Sequence, residues 1–527
     1  MQTDRRSPGV DFESIWQASE RFSRQSDRRF GRLRDQVRRR LIRDAIRYTS
    51  VYREVPPAAR AVADNRPLPP IVLAGHQPTL FHPGVWFKNF ALDRIARQHN
   101  ALAINLVVDN DVASGVSVRV PQENFETGQM RSVPVAYDVA GGGVPFEQTA
   151  IADRDFFESF ATRLSAAAIG LVDQPSVNQL WPHAVAAVNR CDIAACAIAQ
   201  ARHGLESSMG LQTLELPIGV VARDVGFARF TLELLDDLPR FLEIYNRWTD
   251  HYRREHGIRS SAHPVPNLQV DGDWMECPLW VYGDDAPSRR GVWVRRDGDR
   301  LELSDRAGCS MTLDSSDLDA AAEVWTDQLS NDFKVRPRAL LTTMYARWIL
   351  GDLFLHGIGG GKYDQLGDKI AGEFFGVDPP PYLVISATVQ LPGLEPTDHA
   401  GRIRTLRRAQ RDCRYQPERI DHSWSDDHRR LIDRKRELLA AIAPRQERAG
   451  WHRELDEINR TLFDALADRR AEIASRLRSE HLTAASDRLL ASREHSFCLY
   501  PLDYLRDSFA TMLDQAFGPP VGQTEAV

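Results

Sequence analysis

Residues 75–88, GHQPTLFHPGVWFK, concentrate side chains that could bind an anion and act on it. Two histidines, His76 and His82, lie six residues apart, Gln77 follows the first, and Lys88 closes the stretch. Imidazole, amide and ammonium groups all donate hydrogen bonds, and an imidazole also exchanges protons near neutral pH. The stretch therefore predicts a phosphate- or nucleotide-binding corner in which both histidines act in catalysis. The structural alternative is a proline-shaped turn that the histidines merely cap.

The apolar pattern on either side of this stretch predicts the elements that position it. An apolar run at 70–75 is typical of a buried strand, a helical pattern follows over 85–100, and 101–111 resemble a second strand. Strand, helix and strand in this order form a βαβ unit, whose strands are parallel. Because ligands bind outside the carboxyl ends of such strands, we expect Gly75 and His76 at a binding site.

Two carboxylates, Asp109 and Asp111, end the second predicted strand in the sequence VVDND. At the carboxyl end of a parallel strand, acids can hold a ribose, a magnesium ion or a substrate amine. We expect both carboxylates to act in catalysis, one of them by orienting an amine or by taking its proton. An Asp-Asn-Asp sequence is also typical of turns, so a purely structural turn is the open alternative.

A second candidate stretch, HGIGGGKYDQLGD at 356–368, follows a short predicted strand. Consecutive glycines let backbone N–H groups approach a ligand closely, and we expect the next helix to begin near Tyr363. The spacing matches neither a P-loop nor a G-x-G-x-x-G fingerprint, and a tight strand-to-helix turn is the structural alternative. Together with Gly75, Gln77 and Lys88, the residues expected to bind substrate or cofactor are Gly359, Gly360, Gly361, Lys362, Tyr363, Asp364 and Gln365.

The composition argues against several classes of protein. The 527 residues are 43% hydrophobic and 27% charged, and a net charge of −6 argues against binding nucleic acid or an anionic membrane. Six cysteines without Cys-x-x-Cys spacing favour free thiols, and no metal site is predicted; zinc, haem and flavin are not expected. With no signal-peptide pattern and no apolar run of ~20 residues, we expect a cytoplasmic protein.

Changes in composition along the chain predict four regions. They are an N-terminal helical segment (1–65), a core (66–400) with an insertion at about 113–330, a helical arm (401–500) and a C-terminal tail (501–527). The N-terminal segment has the pattern of one long helix with a break near Gly31.

The arm has a coiled-coil pattern. Trp451, Leu455, Ile458 and Leu462 step by four, three and four residues, which is the spacing of a coiled-coil seam. Pro444 and Gly450 lie between two helical runs, so we expect a helical hairpin. The seam predicts a homodimer formed through this arm.

The chain resembles the family of cysteine-adding enzymes of bacillithiol synthesis in several short motifs and in the order of those motifs along the sequence. Ala74–Gly84 resembles the family's Thr-Gly-Gln-Gln-x-Gly-Leu-x-x-Gly-Pro loop. Val108–Asp111 resembles the acidic end of the family's next strand, and Gly359–Tyr363 resembles its later glycine turn. Residues 430–490 are similar to the family's dimerising helical arm. The resemblance implies an α/β fold: a Rossmann-like, nucleotidyltransferase-like core with a parallel sheet, an inserted α/β connecting region and a C-terminal coiled-coil arm.

The resemblance also implies a function, which is that of a ligase or transferase joining an amino acid, cysteine in the family, to an amine-bearing sugar or related acceptor. ATP or ADP and Mg²⁺ are possible cofactors, and the expected partners are a small-molecule substrate and a second copy of the chain. The loop has His76 where the family has a glutamine, and the glycine turn gains Lys362, so the substrates are left open. The alternatives are a nucleotidyltransferase-type enzyme acting on a phosphate-containing acceptor and a non-catalytic dimeric sensor of a nucleotide or metabolite.

Overall fold

The computed structural model describes residues 12–62, 68–113, 115–124, 126–139, 142–258, 265–441 and 444–519, without the side chains of residues 24–28, 58 and 62. The ends of the predicted N-terminal segment and C-terminal tail, residues 1–11 and 520–527, lie outside the described residues, as do residues 63–67.

The helices of the described residues are α1 (Phe12–Ser50), α2 (Pro57–Val62), α3 (Pro83–Gln98), α4 (Arg154–Glu158), α5 (Phe160–Ala167), α6 (Val177–Val188), α7 (Ala194–Ser208), α8 (Ile218–Val221), α9 (Val225–Asp236), α10 (Leu238–Glu255), α11 (Leu318–Gln328), α12 (Ala339–Tyr345), α13 (Ile358–Phe375), α14 (His399–Tyr415), α15 (Asp426–Ala440), α16 (Arg448–Ala465), α17 (Ala467–Leu490) and α18 (Leu502–Phe517). A π-helical stretch, Ala346–Leu350, follows α12.

The strands of the same residues are β1 (Ile71–His76), β2 (Leu102–Val107), β3 (Ser117–Asn124), β4 (Gln129–Ala136), β5 (Leu214–Pro217), β6 (Val270–Asp271), β7 (Trp274–Tyr282), β8 (Arg290–Asp297), β9 (Arg300–Ser304), β10 (Ser310–Asp314), β11 (Lys334–Pro337), β12 (Leu353–His356) and β13 (Tyr382–Val384).

Within the described residues, a parallel sheet has the strand order β13-β12-β1-β2-β5. β1 pairs with β2 from Ile71 opposite Leu102 to His76 opposite Val107, and its other edge pairs with β12. The predicted α/β fold with a parallel sheet is thereby confirmed, including the unit of β1, α3 and β2. β5 lies within the predicted insertion at 113–330, so that segment contributes a strand to the parallel sheet.

Helices pack against this sheet because its strands are apolar, as parallel strands buried on both faces are. Every residue of β2 is buried, and α3 packs against both β1 and β2. α1 packs against β5 and against the π-helical stretch. The core is therefore continuous from the N-terminal helix through the sheet.

The connections after β1 and β12 depart in opposite directions. From β1 the chain crosses through α3 to β2 on one side, and from β12 it crosses through α13 to β13 on the other. At such a switch point the two departing loops leave a crevice at the carboxyl edge of the sheet. The loop at 77–82 and the start of α13 therefore follow adjacent strands at the carboxyl edge of the sheet, where such a crevice is expected.

A second sheet is antiparallel and lies in the chain between β5 and β12. Its order is β10-β9-β8-β7-β11, and β6 pairs with β7. The pairing of β7 with β8 shifts register between Cys277 and Trp280. Arg336 on its edge strand β11 bonds to Glu147, whose backbone N–H donates to the Asp109 carbonyl oxygen after β2.

α1 runs unbroken from Phe12 to Ser50, so the predicted break near Gly31 is wrong. The neighbouring side chains Phe30, Val37 and Leu41 are buried in the main core. Burying such side chains contributes about 1.5–3 kcal/mol each, which exceeds the roughly 1 kcal/mol that a glycine costs inside a helix.

The chain divides into two compact units. One comprises residues 1–120, 134–389 and 493–527 and contains the parallel and the long antiparallel sheets. The other comprises residues 121–133 and 390–492, in which α14 packs against α17 and α15 against α16. Each unit has apolar clusters of its own.

The predicted coiled-coil seam packs within this second unit. Leu455, Ile458 and Leu462 on α16 form a cluster with Ile432 and Leu438 on α15. Trp451 Nε1 donates a hydrogen bond of 2.8 Å to the Leu438 carbonyl oxygen. These seam residues therefore meet a helix of the same chain.

Among the described helices, we find none with the length and apolar character needed to cross a bilayer.

Candidate functional site

The carboxyl end of β1 is fixed by a buried lysine. Lys88 on α3 is 3% exposed, and its Nζ donates a hydrogen bond of 2.6 Å to the Gly75 carbonyl oxygen. Burial first, and then the charge of Arg202, lower the pKa of Lys88 to about 8. A positive charge held under the β1 loop makes the electrostatic potential at the end of β1 more positive.

His76 ends β1 as a neutral imidazole. Its Nδ1 lies 3.1 Å from the Gln77 carbonyl oxygen, which can only accept, so Nδ1 carries the proton and Nε2 a lone pair. Burial and the nearby charge of Lys88 lower the pKa of His76 to about 3. Because a proton-transfer catalyst works best with a pKa near the ambient pH, His76 is suited to hydrogen bonding rather than to proton transfer.

His82 is the N-cap of α3. Its Nδ1 accepts a hydrogen bond of 3.1 Å from the Gly84 backbone N–H, and its Nε2 lies 3.7 Å from Glu494 Oε2. A cap satisfies one of the N–H groups that the first helical turn leaves unpaired. The structure thus gives His82 the capping role that the sequence left as the alternative to catalysis.

Gln77 and Asp111 join the loops that follow β1 and β2. Gln77 Nε2 donates a hydrogen bond of 2.6 Å to Asp111 Oδ2, and Arg289 Nη1 lies 3.1 Å from Asp111 Oδ1. Asp111 Oδ1 also accepts from the Val112 N–H at 2.8 Å. Hydrogen bonds and an ion pair therefore join the loop after β1, the loop after β2 and Arg289 from the segment before β8.

Asp109 belongs to a carboxyl pair at the end of β2. Its Oδ1 accepts a hydrogen bond of 2.8 Å from the Gly219 N–H, and a Cβ at Gly219 would lie 2.9 Å from both Asp109 Oδ2 and Glu147 Oε2. Burial, and then the charge of Glu147, raise the pKa of Asp109 to about 7. The close approach of both acids explains why a glycine occupies position 219.

Glu147 is the ionised partner of that pair. Arg336 donates to its two carboxylate oxygens at 2.8 and 3.0 Å, and the Tyr282 hydroxyl donates to Oε1. Although burial opposes it, the charge of Arg336 lowers the pKa of Glu147. Two neighbouring carboxyl groups with separated pKa values are the arrangement that acid–base catalysis uses.

The triple glycine lies inside a helix. α13 begins at Ile358 and Gly357 is its N-cap, so the predicted start near Tyr363 is wrong. The first N–H groups of a helix have no partner within it and point at the space before it, where they and the helix dipole favour an anion. Gly360 is required by packing, since a Cβ there would lie 2.8 Å from His356 Nδ1.

Asp364 lies in a buried polar network behind that helix start. Its Oδ2 is 2.6 Å from His356 Nε2 and 2.7 Å from Arg347 Nη1, and its Oδ1 accepts from the Thr343 hydroxyl at 2.6 Å. Burial raises the pKa of Asp364, but His356 and Arg347 outweigh it and lower that pKa to about 2. This corrects the expectation that Asp364 faces a ligand.

The same network orients His356. Because its Nε2 bonds to the Asp364 carboxylate, its Nδ1 faces Gly360 at the start of α13. Burial lowers the pKa of His356 although Asp364 opposes it, and the ring is 4% exposed. His356 is the last residue of β12, which pairs with β1, so it shares the sheet edge with His76.

The remaining residues of the glycine stretch divide between two faces of α13. Lys362 and Gln365 are exposed, and Gln365 lines an open cleft of about 700 Å³ between α10 and α13. Tyr363 is half-buried, and Asp111 is among the charges that raise its pKa after burial. Lys362 and Gln365 are therefore open to solvent on this helix, whereas Tyr363 is partly enclosed.

Sequence reasoning missed four polar residues of this region. Glu147, Arg289 and Arg336 have no motif around them. The Glu147 backbone N–H bonds to the Asp109 carbonyl oxygen, and the antiparallel sheet brings Arg289 and Arg336 to the same region. His356 had a usable signal, because it ends a predicted strand immediately before the glycine run.

Comparison with protein-family models finds no family that matches the chain, and comparison with curated proteins finds no protein that matches it.

Proposed function

We propose that the protein is a nucleotide-dependent ligase or transferase acting on small molecules, with the Rossmann-like core that its resemblance to the cysteine-adding enzymes implies. The supporting observation is the start of α13 at the carboxyl end of β12, beside β1, where the connections of the parallel sheet depart in opposite directions. α/β sheets bind ligands in such crevices, and a helix N-terminus there favours a phosphate group.

The phosphates of ATP or ADP are proposed to lie against the first turn of α13. Gly359 suits this role, since the nearest atom to a Cβ there would be Tyr363 Oη at 3.7 Å, so the surface at Gly359 is open. The neutral imidazole of His76 would lie on the opposite side, at the end of β1, with the buried ammonium group of Lys88 beneath Gly75. Mg²⁺ is proposed to accompany the nucleotide through its phosphate oxygens and Asp111.

Asp109 is the group we propose for proton transfer. In amide formation the amine nitrogen attacks an activated acyl carbon, a C–N bond forms, the C–O bond to the phosphate-bearing leaving group breaks, and the amine loses a proton. A carboxyl group with a pKa of about 7 can take up that proton as a carboxylate and release it again near neutral pH.

The direct test is to incubate the full chain with ATP, magnesium, a mixture of amino acids and amino-sugar acceptors, and to look for new masses. A condensed product would support the ligase. Consumption of ATP without such a product would instead support the nucleotidyltransferase-type alternative, to be pursued with phosphate-containing acceptors.

The glycine turn allows a matched pair of variants. Gly359→Val adds a side chain at the proposed phosphate site, whereas Gly450→Val adds one on α16, where nothing lies within 4 Å of the new Cβ. We expect the first change to weaken ATP binding about tenfold or more and the second to leave it unaltered. Equal ATP affinities in the two variants would remove α13 from the site.

A non-catalytic sensor of a nucleotide or metabolite is the second candidate function. The surroundings of the two histidines predicted to be catalytic favour it. His82 caps α3, and the pKa of His76 is lowered to about 3, so neither histidine is suited to proton transfer. A sensor predicts that nucleotide raises the melting temperature while no substrate is turned over.

The homodimer also remains a proposal. Because the predicted seam packs against α15 of the same chain, a dimer would use other surfaces of the arm. Measuring the molar mass in solution by light scattering tests it, and a monomeric mass would end the proposal.

A further inference from the structure

Three potential metal ligands converge in the core of the first unit. His203 and Glu206 lie three residues apart on one face of α7, and Glu215 lies on β5. All three are 0% exposed, and one ligand atom from each lies within 4.8 Å of the other two.

The hydrogen bonds of Glu206 are all on one oxygen. Oε1 accepts from Trp86 Nε1, Asn89 Nδ2 and Arg202 Nη1, each at 2.7 Å. Oε2 is fully buried and has no hydrogen-bond partner among the described residues. Leaving a buried carboxylate oxygen without a partner is costly, so a ligand for Oε2 would stabilise the fold.

Glu215 shows the same asymmetry. Its Oε1 accepts from Asn105 Nδ2 at 2.6 Å and from Arg202 Nη2. Its Oε2 has no hydrogen-bond partner in the described part of the chain, and His203 Nδ1 lies 3.7 Å from it. Each glutamate of the cluster therefore has one buried carboxylate oxygen without a hydrogen-bond partner among the described residues.

The imidazole of His203 is oriented as metal-binding histidines are. Its Nε2 lies 3.0 Å from the Thr213 carbonyl oxygen, which only accepts, so Nε2 carries the proton and Nδ1 a lone pair. Burial lowers the pKa of His203 well below its usual value, which keeps the ring neutral. A ring N–H bonded to a backbone carbonyl fixes the ligand tautomer in many metal sites.

The surrounding cations do not reach the unpartnered oxygens. Arg202 bonds to the Oε1 atoms of both glutamates, and Arg53 donates to the backbone carbonyls of His203 and Leu211. The Tyr52 hydroxyl lies 2.6 Å from His203 Nδ1 and donates a hydrogen bond to its lone pair.

We propose that His203 Nδ1, Glu206 Oε2 and Glu215 Oε2 bind one divalent transition-metal ion, of the Zn²⁺, Mn²⁺ or Fe²⁺ class, with the Tyr52 hydroxyl turned from Nδ1 to the ion as a fourth ligand. One imidazole and two carboxylates suit this class of ion. Ligand atoms 3.7 Å apart can share an ion that sits about 2.0–2.2 Å from each. Burial of all ligands makes the site structural, joining α7 to β5.

The first measurement is the metal content of the full chain, refolded in separate batches with Zn²⁺, Mn²⁺ or Fe²⁺ and freed of loose ions. We expect about one ion per chain for at least one metal, and about tenfold less in Glu215→Gln. The matched control is Glu480→Gln on α17, which we expect to keep the ion. Less than about 0.1 ion per chain with every metal would overturn the proposal, and a proton shared by the two glutamates would replace it.

A second measurement uses the wild-type protein, so that the proposal can still be tested if the Glu215→Gln variant does not fold. Wild-type protein refolded with Co²⁺ should show visible absorption bands from cobalt bound to nitrogen and oxygen, and refolding with a chelator should lower the melting temperature. A Co²⁺ protein without such bands, or an equal melting temperature with chelator and with metal, would contradict a bound ion.

Discussion

At the scale of single residues, environment decides which acids and bases can do chemistry. Asp109 and Asp111 are two residues apart on one strand end, yet they have different surroundings. Asp111 is bonded to Gln77 and Arg289, whereas Asp109 is packed beside Glu147. The functional assignment of two similar aspartates therefore depends on partners that lie far away in the sequence.

Asp109→Asn tests the proton-transfer role and its linkage to stability. A carboxyl whose pKa is raised to about 7 on folding contributes stability below about pH 4 that is lost as the pH rises through 7. We expect Asp109→Asn, which stays neutral, to show a smaller fall in melting temperature between pH 5 and pH 8. Product formation should fall by about a hundredfold.

The control for Asp109→Asn is Asp426→Asn at the exposed start of α15. The control should keep the wild-type dependence of melting temperature on pH. A pH dependence that is identical in wild type and Asp109→Asn would show that the carboxyl of Asp109 is ionised normally.

His82 provides a second prediction, for capping. His82→Ala should lower the free energy of unfolding by about 1 kcal/mol because Gly84 N–H loses its acceptor, and His82→Asn should keep most of it. Turnover per folded molecule should stay within about twofold in both variants. A large loss of turnover at unchanged stability would indicate that His82 acts in catalysis.

At the scale of elements, packing overrides local sequence signals. Gly31 and the triple glycine both lie inside helices, because α1 and α13 are held by buried contacts on their apolar faces. The spacing of Trp451, Leu455, Ile458 and Leu462 correctly indicates an apolar helix face. It does not identify the partner, because α15 and a second chain would present similar surfaces.

Leu462→Ala tests the partner of that face. Leu462 is 0% exposed among side chains of α15 and α16, so we expect a loss of about 2–5 kcal/mol from the stability of the second unit. Leu439→Ala, at a side chain 50% exposed, should change it by less than about 0.5 kcal/mol. The loss should be independent of protein concentration, and a concentration dependence would indicate a dimer seam.

At the scale of the whole molecule, two units with separate apolar clusters predict two unfolding transitions. Calorimetry should resolve them, and ATP with magnesium should raise only the transition of the unit that holds the parallel sheet, because a ligand stabilises the unit to which it binds. Leu462→Ala should lower only the other transition. A single transition shifted by both changes would contradict independent unfolding.

Much of the architecture was predictable from the order of apolar segments. A strand run, a helical pattern and a second strand run permit few arrangements other than a βαβ unit. Gly75, His76 and Asp109 were therefore placed correctly at strand ends. The pairing of β5 with β2 was not predicted, because β5 lies far from β2 in the sequence and only the folded chain brings the two together.

The parallel α/β core and the loops that end its central strands can be predicted from the sequence, because the alternation and order of apolar segments restrict the connections. The roles of the polar residues follow from the folded structure instead. It made His82 a cap, enclosed Asp364, paired Asp109 with Glu147, and brought Glu215 to His203 and Glu206. Charge and hydrogen bonding depend on distances of a few ångströms, and between distant segments only packing sets those distances.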